Sequence, residues 1–238
     1  MFRTLIFILI SSFTINCFAS IAVNKSRIVF KGRSLLSNEI TVANSGTNAI
    51  ILQSWIDDGE FSQVPIQVKS PFIVVPAVTR LNPGERRSFK IIKTNNLVDE
   101  NKENLYWLNI YEVDLQKKTS ESSLRVGVNT QIKVFYQPSE MRGKKIDAAN
   151  RVLITKKKEN GHNVLAFYNT SDYCVSLASI TLNASGQKYK LPDSMDMTLM
   201  PRSGKSFPLP ADQDNGYSSV SFSVVNDDGT ISNFNRRL

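Results

Sequence analysis

Apolar residues recur at every second position over stretch after stretch of this chain, and no segment convincingly carries the spacing of an amphipathic helix. The runs "RIVF" (27–30), "NEITVAN" (38–44), "AIILQSWI" (49–56), "PFIVVP" (71–76), "RRSFKII" (86–92) and "NLYWLNIYEVD" (104–114) read as strands. A seventh, "LRVGVNTQIKVFYQP" (124–138), follows the polar loop "LQKKTSESS". A period of two sends successive side chains to opposite faces of a sheet, so each run has one face for a core and one for something else. About seven such strands in sequence is the count of an immunoglobulin-like sandwich.

Between Pro138 and Asp147 the alternation dissolves into "PSEMRGKKID", which reads as a linker. A second all-β set follows. "RVLITKKKENGHNVLAFYN" is a hairpin whose Asn160-Gly161 pair suits a tight primed turn, because both central residues of that turn need positive φ. Later runs are "VSLASITLNA", "QKYKLP", "TLMPRSGKSFPLP", "SSVSFSVVND" and "ISNF". With 238 residues the chain has room for two cores. The expected division is residues 1–19 as a leader, 20–138 as a first sandwich, 139–147 as the linker and 148–238 as a second sandwich or small barrel.

The leader is "MFRTLIFILISSFTINCFAS", with one basic residue, an apolar centre and small residues near its end. It reads as a secretory signal peptide, cut after Ala19 or after Ala22. Its polar residues and short apolar stretch make it a poor membrane span, and no later segment approaches one. Without the leader, Cys174 is the only cysteine, so no internal disulfide is available and the residue is expected to be a buried small hydrophobe. The net charge of +8 raises the question of nucleic acid. The basic residues are dispersed, however, with only Lys156, Lys157 and Lys158 forming a run, which fits a solvated basic surface and no nucleic-acid partner.

Catalytic chemistry is hard to build here. The single histidine, His162, flanks the hairpin turn, and one histidine with one cysteine cannot make the usual zinc sets. There is no glycine-rich phosphate loop and no G-x-S-x-G elbow. No enzyme, cofactor or metal site is expected. The residues do offer one unusual strand, 124–138, which is long and has Lys133 in its second half. A sheet edge is a row of unpaired N–H and C=O groups, and alternating apolar side chains on it are a hazard unless a partner uses them. Leu124, Val126 and Val128 fit two roles: facing the chain's own core, or meeting a partner that adds a strand of its own. Alternation alone does not choose between them.

Four stretches, taken in order, do more. "SRIVFKG" (26–32) places a basic residue two before a Val-Phe pair. "VVPAVTRLNPGERRSFKI" (74–91) joins a proline segment to an arginine, a leucine and a Pro-Gly turn. "DENKENLYWLNIYEV" (99–113) has a charged lead-in, then Glu, an aromatic pair and Asn, and "TQIKVFYQP" (130–138) ends the long strand. Together they resemble the PapD-like periplasmic chaperones of the chaperone-usher pathway, over essentially the whole chain after the leader.

The resemblance implies two immunoglobulin-like β-sandwiches in tandem, L-shaped with a cleft between them. It implies a periplasmic chaperone that caps pilus subunits by donating a strand and delivers them to an outer-membrane usher, with no ATP or metal. By position, Arg27 and Lys133 match the family's two anchors for a subunit's C-terminal carboxylate, and Leu124, Val126 and Val128 match its donor residues. Glu103 and Asp227 match the acidic members of an interdomain polar network. The arginine that the family carries before the closing proline is Gln137 here, so the network is expected to lack its central cation, with Arg142 near enough to substitute. The short, cysteine-free loop at 115–123 resembles the short-loop branch that serves rod-like pili. The competing expectation is a secreted two-domain adhesin or fibre subunit. Against it, "SIAVNKSRIVF" leads almost at once into the first strand, leaving little room for a donor extension.

Overall fold

The computed structural model describes residues 20–32, 36–59, 70–94, 98–115, 127–139, 141, 143–184, 187–194, 196–209 and 216–238. The leader, Leu124, Val126 and Arg142 lie outside the described residues. The first half of the chain forms β1 (Ile21–Val23), β2 (Arg27–Lys31), β3 (Ser37–Asn44), β4 (Ile50–Asp57), β5 (Phe72–Val75), β6 (Val78–Leu81), β7 (Arg86–Lys93), β8 (Asn104–Asp114) and β9 (Val128–Gln137). These make two sheets, ordered β1-β3-β7-β5 and β2-β9-β8-β4-β6. A 3-10 helix (Lys145–Arg151) leads into β10 (Val152–Glu159), β11 (His162–Asn169), β12 (Val175–Ala184), β13 (Gln187–Lys190), β14 (Thr198–Leu199), β15 (Ser203–Pro208), β16 (Ser219–Val225) and β17 (Ile231–Arg237). The second pair of sheets is β10-β11-β15 and β13-β12-β16-β17, with β14 hydrogen-bonded to β12. No helix among the described residues is long and apolar enough to cross a membrane.

The protein is therefore all-β, with two sandwiches and a separate core in each. Phe30, Ile40, Leu52, Phe89, Leu108 and Val134 are fully buried in the first. Leu165, Phe167, Ile180, Leu182, Val220 and Phe222 fill the second, where Phe167 meets Phe207 and Phe222 edge to face. Each such side chain removed from water is worth roughly 1.5 to 3 kcal/mol, which lets both domains hold together without a disulfide.

Alternation locates most of these strands but misses where the chain changes sheets. Residues 21–31 pair first with β3 and then, past Asn24-Lys25-Ser26, with β9. Residues 72–81 pair with β7 and then, past Pro76, with β4. Residues 198–208 pair with β12 and then β11, breaking at Pro201 and at Arg202, whose φ is 53°. Two sheets of a sandwich share one core, so the chain can pass from one to the other through a short irregular stretch. At two of the crossings the buried positions change parity, from Ile21 to Ile28 and Phe30 and from Phe72 and Val74 to Leu81, so no single alternation runs through them.

The β10–β11 hairpin has the turn that its sequence calls for: φ is 49° at Asn160 and 81° at Gly161. Nothing lies within 4 Å of a Cβ built at Gly161, so any cost of a side chain there is conformational. Gly161→Ala is expected to lower stability by about 1 kcal/mol in urea unfolding, the penalty of a left-handed non-glycine residue; no change would contradict the primed turn.

Candidate functional site

β9 divides its side chains by parity. Ile132, Val134 and Tyr136 point into the first core, whereas Lys133, Phe135 and Gln137 point at the second sandwich. It also divides its two edges by position. β8 pairs with β9 from Val128 to Tyr136, but β2 covers the other edge only from Arg27↔Lys133 to Lys31↔Gln137. From Val128 to Ile132 that edge has no strand beside it among the described residues. Val128 shares the face of Ile132 but lies past the end of the core, and it is 49% exposed. Just before it, a Cβ at Gly127 would come within 2.0 Å of the Tyr111 hydroxyl, so this position on the opposite face is already occupied by a ring.

The open edge stops at two cations. Arg27 and Lys133 are register partners on parallel strands, which brings them to one face of the sheet. Arg27 Nη1 donates to the Val225 carbonyl at 2.9 Å, and its guanidinium lies 5.6 Å from the Phe135 ring centroid. Its Nε makes no hydrogen bond among the described residues. Lys133 Nζ donates to Asp196 Oδ1 at 3.1 Å and to the Thr198 hydroxyl, and sits 5.0 Å from the Trp107 ring centroid. Burial lowers the pKa of both cations. For Arg27 it outweighs the charges of Asp227, Glu103 and Asp228. For Lys133 it outweighs Asp196, with Arg27 and Lys205 adding to the depression. Two cations whose desolvation exceeds the compensation around them make a place where a further anion is welcome.

Beside them a polar cluster joins the sandwiches. Glu103, with 0% exposure, accepts from Gln137 Nε2 (2.8 Å), Lys145 Nζ (2.6 Å) and the Cys174 amide (2.6 Å). The same Gln137 nitrogen donates to Asp227 Oδ2 at 2.8 Å, and Lys145 also donates to the Cys174 carbonyl at 2.7 Å. The expectation of a network without a central cation is therefore corrected: Lys145 supplies one, while Arg142 lies outside the described residues. A neutral amide bridges the two carboxylates, and an ammonium on the 3-10 helix carries the charge. Cys174 is a free, buried thiol whose pKa is pushed far up, by burial first and Glu103 second, so it is inert as a nucleophile.

Sequence reasoning did not single out Lys145, Asp196, Thr198 or Lys205. Lys145 is one of two lysines in a charged linker, and Asp196 lies in a loop with no alternation, so neither position signals a partner far away in sequence. Asp196 is held by Lys133, by Lys205 Nζ at 2.9 Å on Oδ2 and by the Thr198 amide at 3.0 Å. Burial alone would raise its pKa, but the Lys205 hydrogen bond, the Lys133 charge and the Thr198 hydrogen bond bring it down to about 2.

Comparison with known proteins gives consistent matches. Residues 20–142 match the family described as pili and flagellar-assembly chaperone, PapD N-terminal domain, and residues 147–235 match pili assembly chaperone PapD, C-terminal domain. The chaperone protein LpfB of Salmonella typhimurium is 28% identical over 220 residues, spanning 90% of this chain and 88% of its own. The probable fimbrial chaperone YadV of Escherichia coli K12 is 28% identical over 196 residues, spanning 80% and 79%. Among solved structures, the Pseudomonas aeruginosa CupB2 chaperone superposes with a TM-score of 0.71 at 27% identity, over 91% of this chain and 100% of that one. The YadV chaperone gives a TM-score of 0.77 at 25% identity, over 92% and 100%.

Removing the ammonium by Lys145→Met leaves Glu103 buried without its counter-ion and is expected to cost about 3 to 5 kcal/mol in denaturant unfolding. Adding Gln137→Arg to that variant should recover most of the loss, since an arginine there reaches both carboxylates. Absence of any recovery would contradict the assignment of Lys145 as the network's cation.

Proposed function

We propose, because this chain belongs to the family of PapD-like pilus-assembly chaperones, that the open edge of β9 receives an unfinished pilus subunit and that Arg27 and Lys133 hold the subunit's C-terminal carboxylate. The protein is a pilus subunit chaperone, a role that is not catalytic. The alternative of an adhesin or fibre subunit finds no support among these relatives.

One observation carries the assignment of residues. β2 protects β9 only from Lys133 onward, so the unpaired edge and the two cations meet at one point. A subunit strand laid on residues 128–132 would take backbone hydrogen bonds from the open edge and end against the ammonium and the guanidinium. Charge-assisted hydrogen bonds from a guanidinium fork and a compact ammonium are stronger than neutral ones, and they fix where the strand stops. Register matters because a slip of one residue would turn every donor side chain to the wrong face.

Val128 supplies apolar surface to the subunit, and the family resemblance gives the same role to Val126 and Leu124, which lie outside the described residues. Each side chain buried in the subunit's groove contributes roughly 1.5 to 3 kcal/mol. The chaperone acts in the periplasm, reached through the leader at residues 1–19, and passes its cargo to an outer-membrane usher. The energy for release resides in the subunit's incomplete fold, completed when another subunit's strand displaces the chaperone's.

The test is periplasmic co-expression with a pilus subunit that co-purifies with this chain. Arg27→Ala and Lys133→Ala should each abolish capture while the free chaperone keeps its melting temperature within a few degrees, since an unpaired carboxylate in the complex costs about 2 to 5 kcal/mol. Normal subunit levels with either variant would overturn the anchor assignment. Val128→Glu should weaken capture without unfolding the chaperone, because the side chain is half exposed in the free protein. Melting of the free protein by that change would return Val128 to the chaperone's own core.

A further inference from the structure

Lys133 is not idle in the free protein. Its ammonium is held across the cleft by Asp196, on the loop before β14, and that carboxylate is itself shared with Lys205 on β15. Lys205 Nζ contacts both Oδ2 at 2.9 Å and the Asp196 backbone carbonyl at 2.7 Å, and the Thr198 amide donates to Oδ1 at 3.0 Å. Asp196 would therefore keep one cation and one amide if Lys133 turned away. Lys133, if the Asp196 carboxylate were withdrawn, would be left among the described residues with the Thr198 hydroxyl and the Trp107 ring.

Asp196 and Trp107, which both meet the Lys133 ammonium, also line a cavity of about 510 Å³ together with Asp58, Gly59, Leu105, Gln131 and Met200. A carboxylate arriving along β9 would meet an ammonium already matched to a carboxylate, and the two anions would compete for it at close range.

We propose that Asp196 is an internal stand-in for the subunit's terminal carboxylate: it neutralises Lys133 in the free chaperone and releases it to the incoming carboxylate, while Lys205 retains Asp196. This rests on the assignment of Lys133 as an anchor. The arrangement solves a physical problem, since an unmatched ammonium in the cleft destabilises the free protein, whereas a fully matched one without a second partner for Asp196 would resist exchange. It also sets a threshold for capture. A chain end must replace an existing ion pair, so a free C-terminus without a matching strand gains little. Asp196 is thus a positioning and specificity residue, acting on the subunit through Lys133, and Lys205 acts only through Asp196.

The experiment measures binding of a peptide with a free C-terminal carboxylate, copied from the end of a pilus subunit that co-purifies with this chain, to the purified full chain by titration calorimetry. Asp196→Asn should bind about two- to fivefold tighter than the unmodified protein, the worth of a partly exposed ion pair. Lys205→Met should weaken binding in the native background and leave it unchanged in the Asp196→Asn background, a non-additivity that marks coupling through Asp196. Weaker or unchanged binding by Asp196→Asn would overturn the proposal, as would an equal effect of Lys205→Met in both backgrounds. Lys133→Ala separates the two ideas: binding by this variant at native strength sinks the anchor itself, and loss of binding without tightening by Asp196→Asn sinks only the stand-in.

Discussion

A carboxylate buried between two domains has to be matched by donors from both, and Glu103, with 0% exposure, is matched by three. Gln137 reaches it from the end of β9, Lys145 from the 3-10 helix and the Cys174 amide from the second sandwich. Removing a carboxylate from water costs several kcal/mol, and the cost is offset only in the one arrangement that delivers all the donors together. Gln137 shares a strand face with Lys133 and Phe135, so holding Glu103 there sets the second sandwich over that face. Phe135 is then sealed with 0% exposure, with Arg27 and Lys145 both near its ring. The Val225 carbonyl reaches Arg27 and Asp196 reaches Lys133 as consequences of the same placement.

β9 has uses for all its length. Its even-numbered residues from Ile132 onward close the first core, and its odd-numbered ones from Lys133 onward build the cleft. Before Lys133 the same strand has a free edge and an exposed Val128, continuing the core face past the core's end. Core, cleft and edge are thus three stretches of one strand, so in the proposed complex a partner laid on the edge would end at the cleft. The lysine that disturbs the apolar pattern stands where β2 begins to cover the strand.

What could be read in advance follows from the range of the forces involved. Sheet alternation is local, so the strands around Ile40, Leu108 and Ile180 were legible, as was the Asn160-Gly161 turn, whose φ angles depend on two residues. The three sheet changes were not, because both sheets of a sandwich bury alternate residues into one core and the pattern is blind to which sheet holds them. Ionic partners were the least legible. Glu103 and Lys145 are 42 positions apart, and Lys133 and Asp196 are 63 apart. No periodicity connects such pairs. Motif resemblance supplied Arg27, Lys133, Glu103 and Asp227, and it pointed to a missing cation at Gln137 that the fold provides from another segment.

The proposed meeting of a carboxylate with Arg27 and Lys133 can be tested with a peptide pair, without altering the protein. The C-terminal peptide of a pilus subunit that co-purifies with this chain would be titrated into the native chaperone twice, once as the free acid and once as the C-terminal amide. Hydrogen bonds to charged groups contribute about 1.5 to 3 kcal/mol against about 1 for neutral ones, a difference of at least about 1 kcal/mol over the two anchors, so the amide should bind at least about fivefold more weakly. Equal affinity of acid and amide would contradict the claim that the cleft reads the end of its partner's chain.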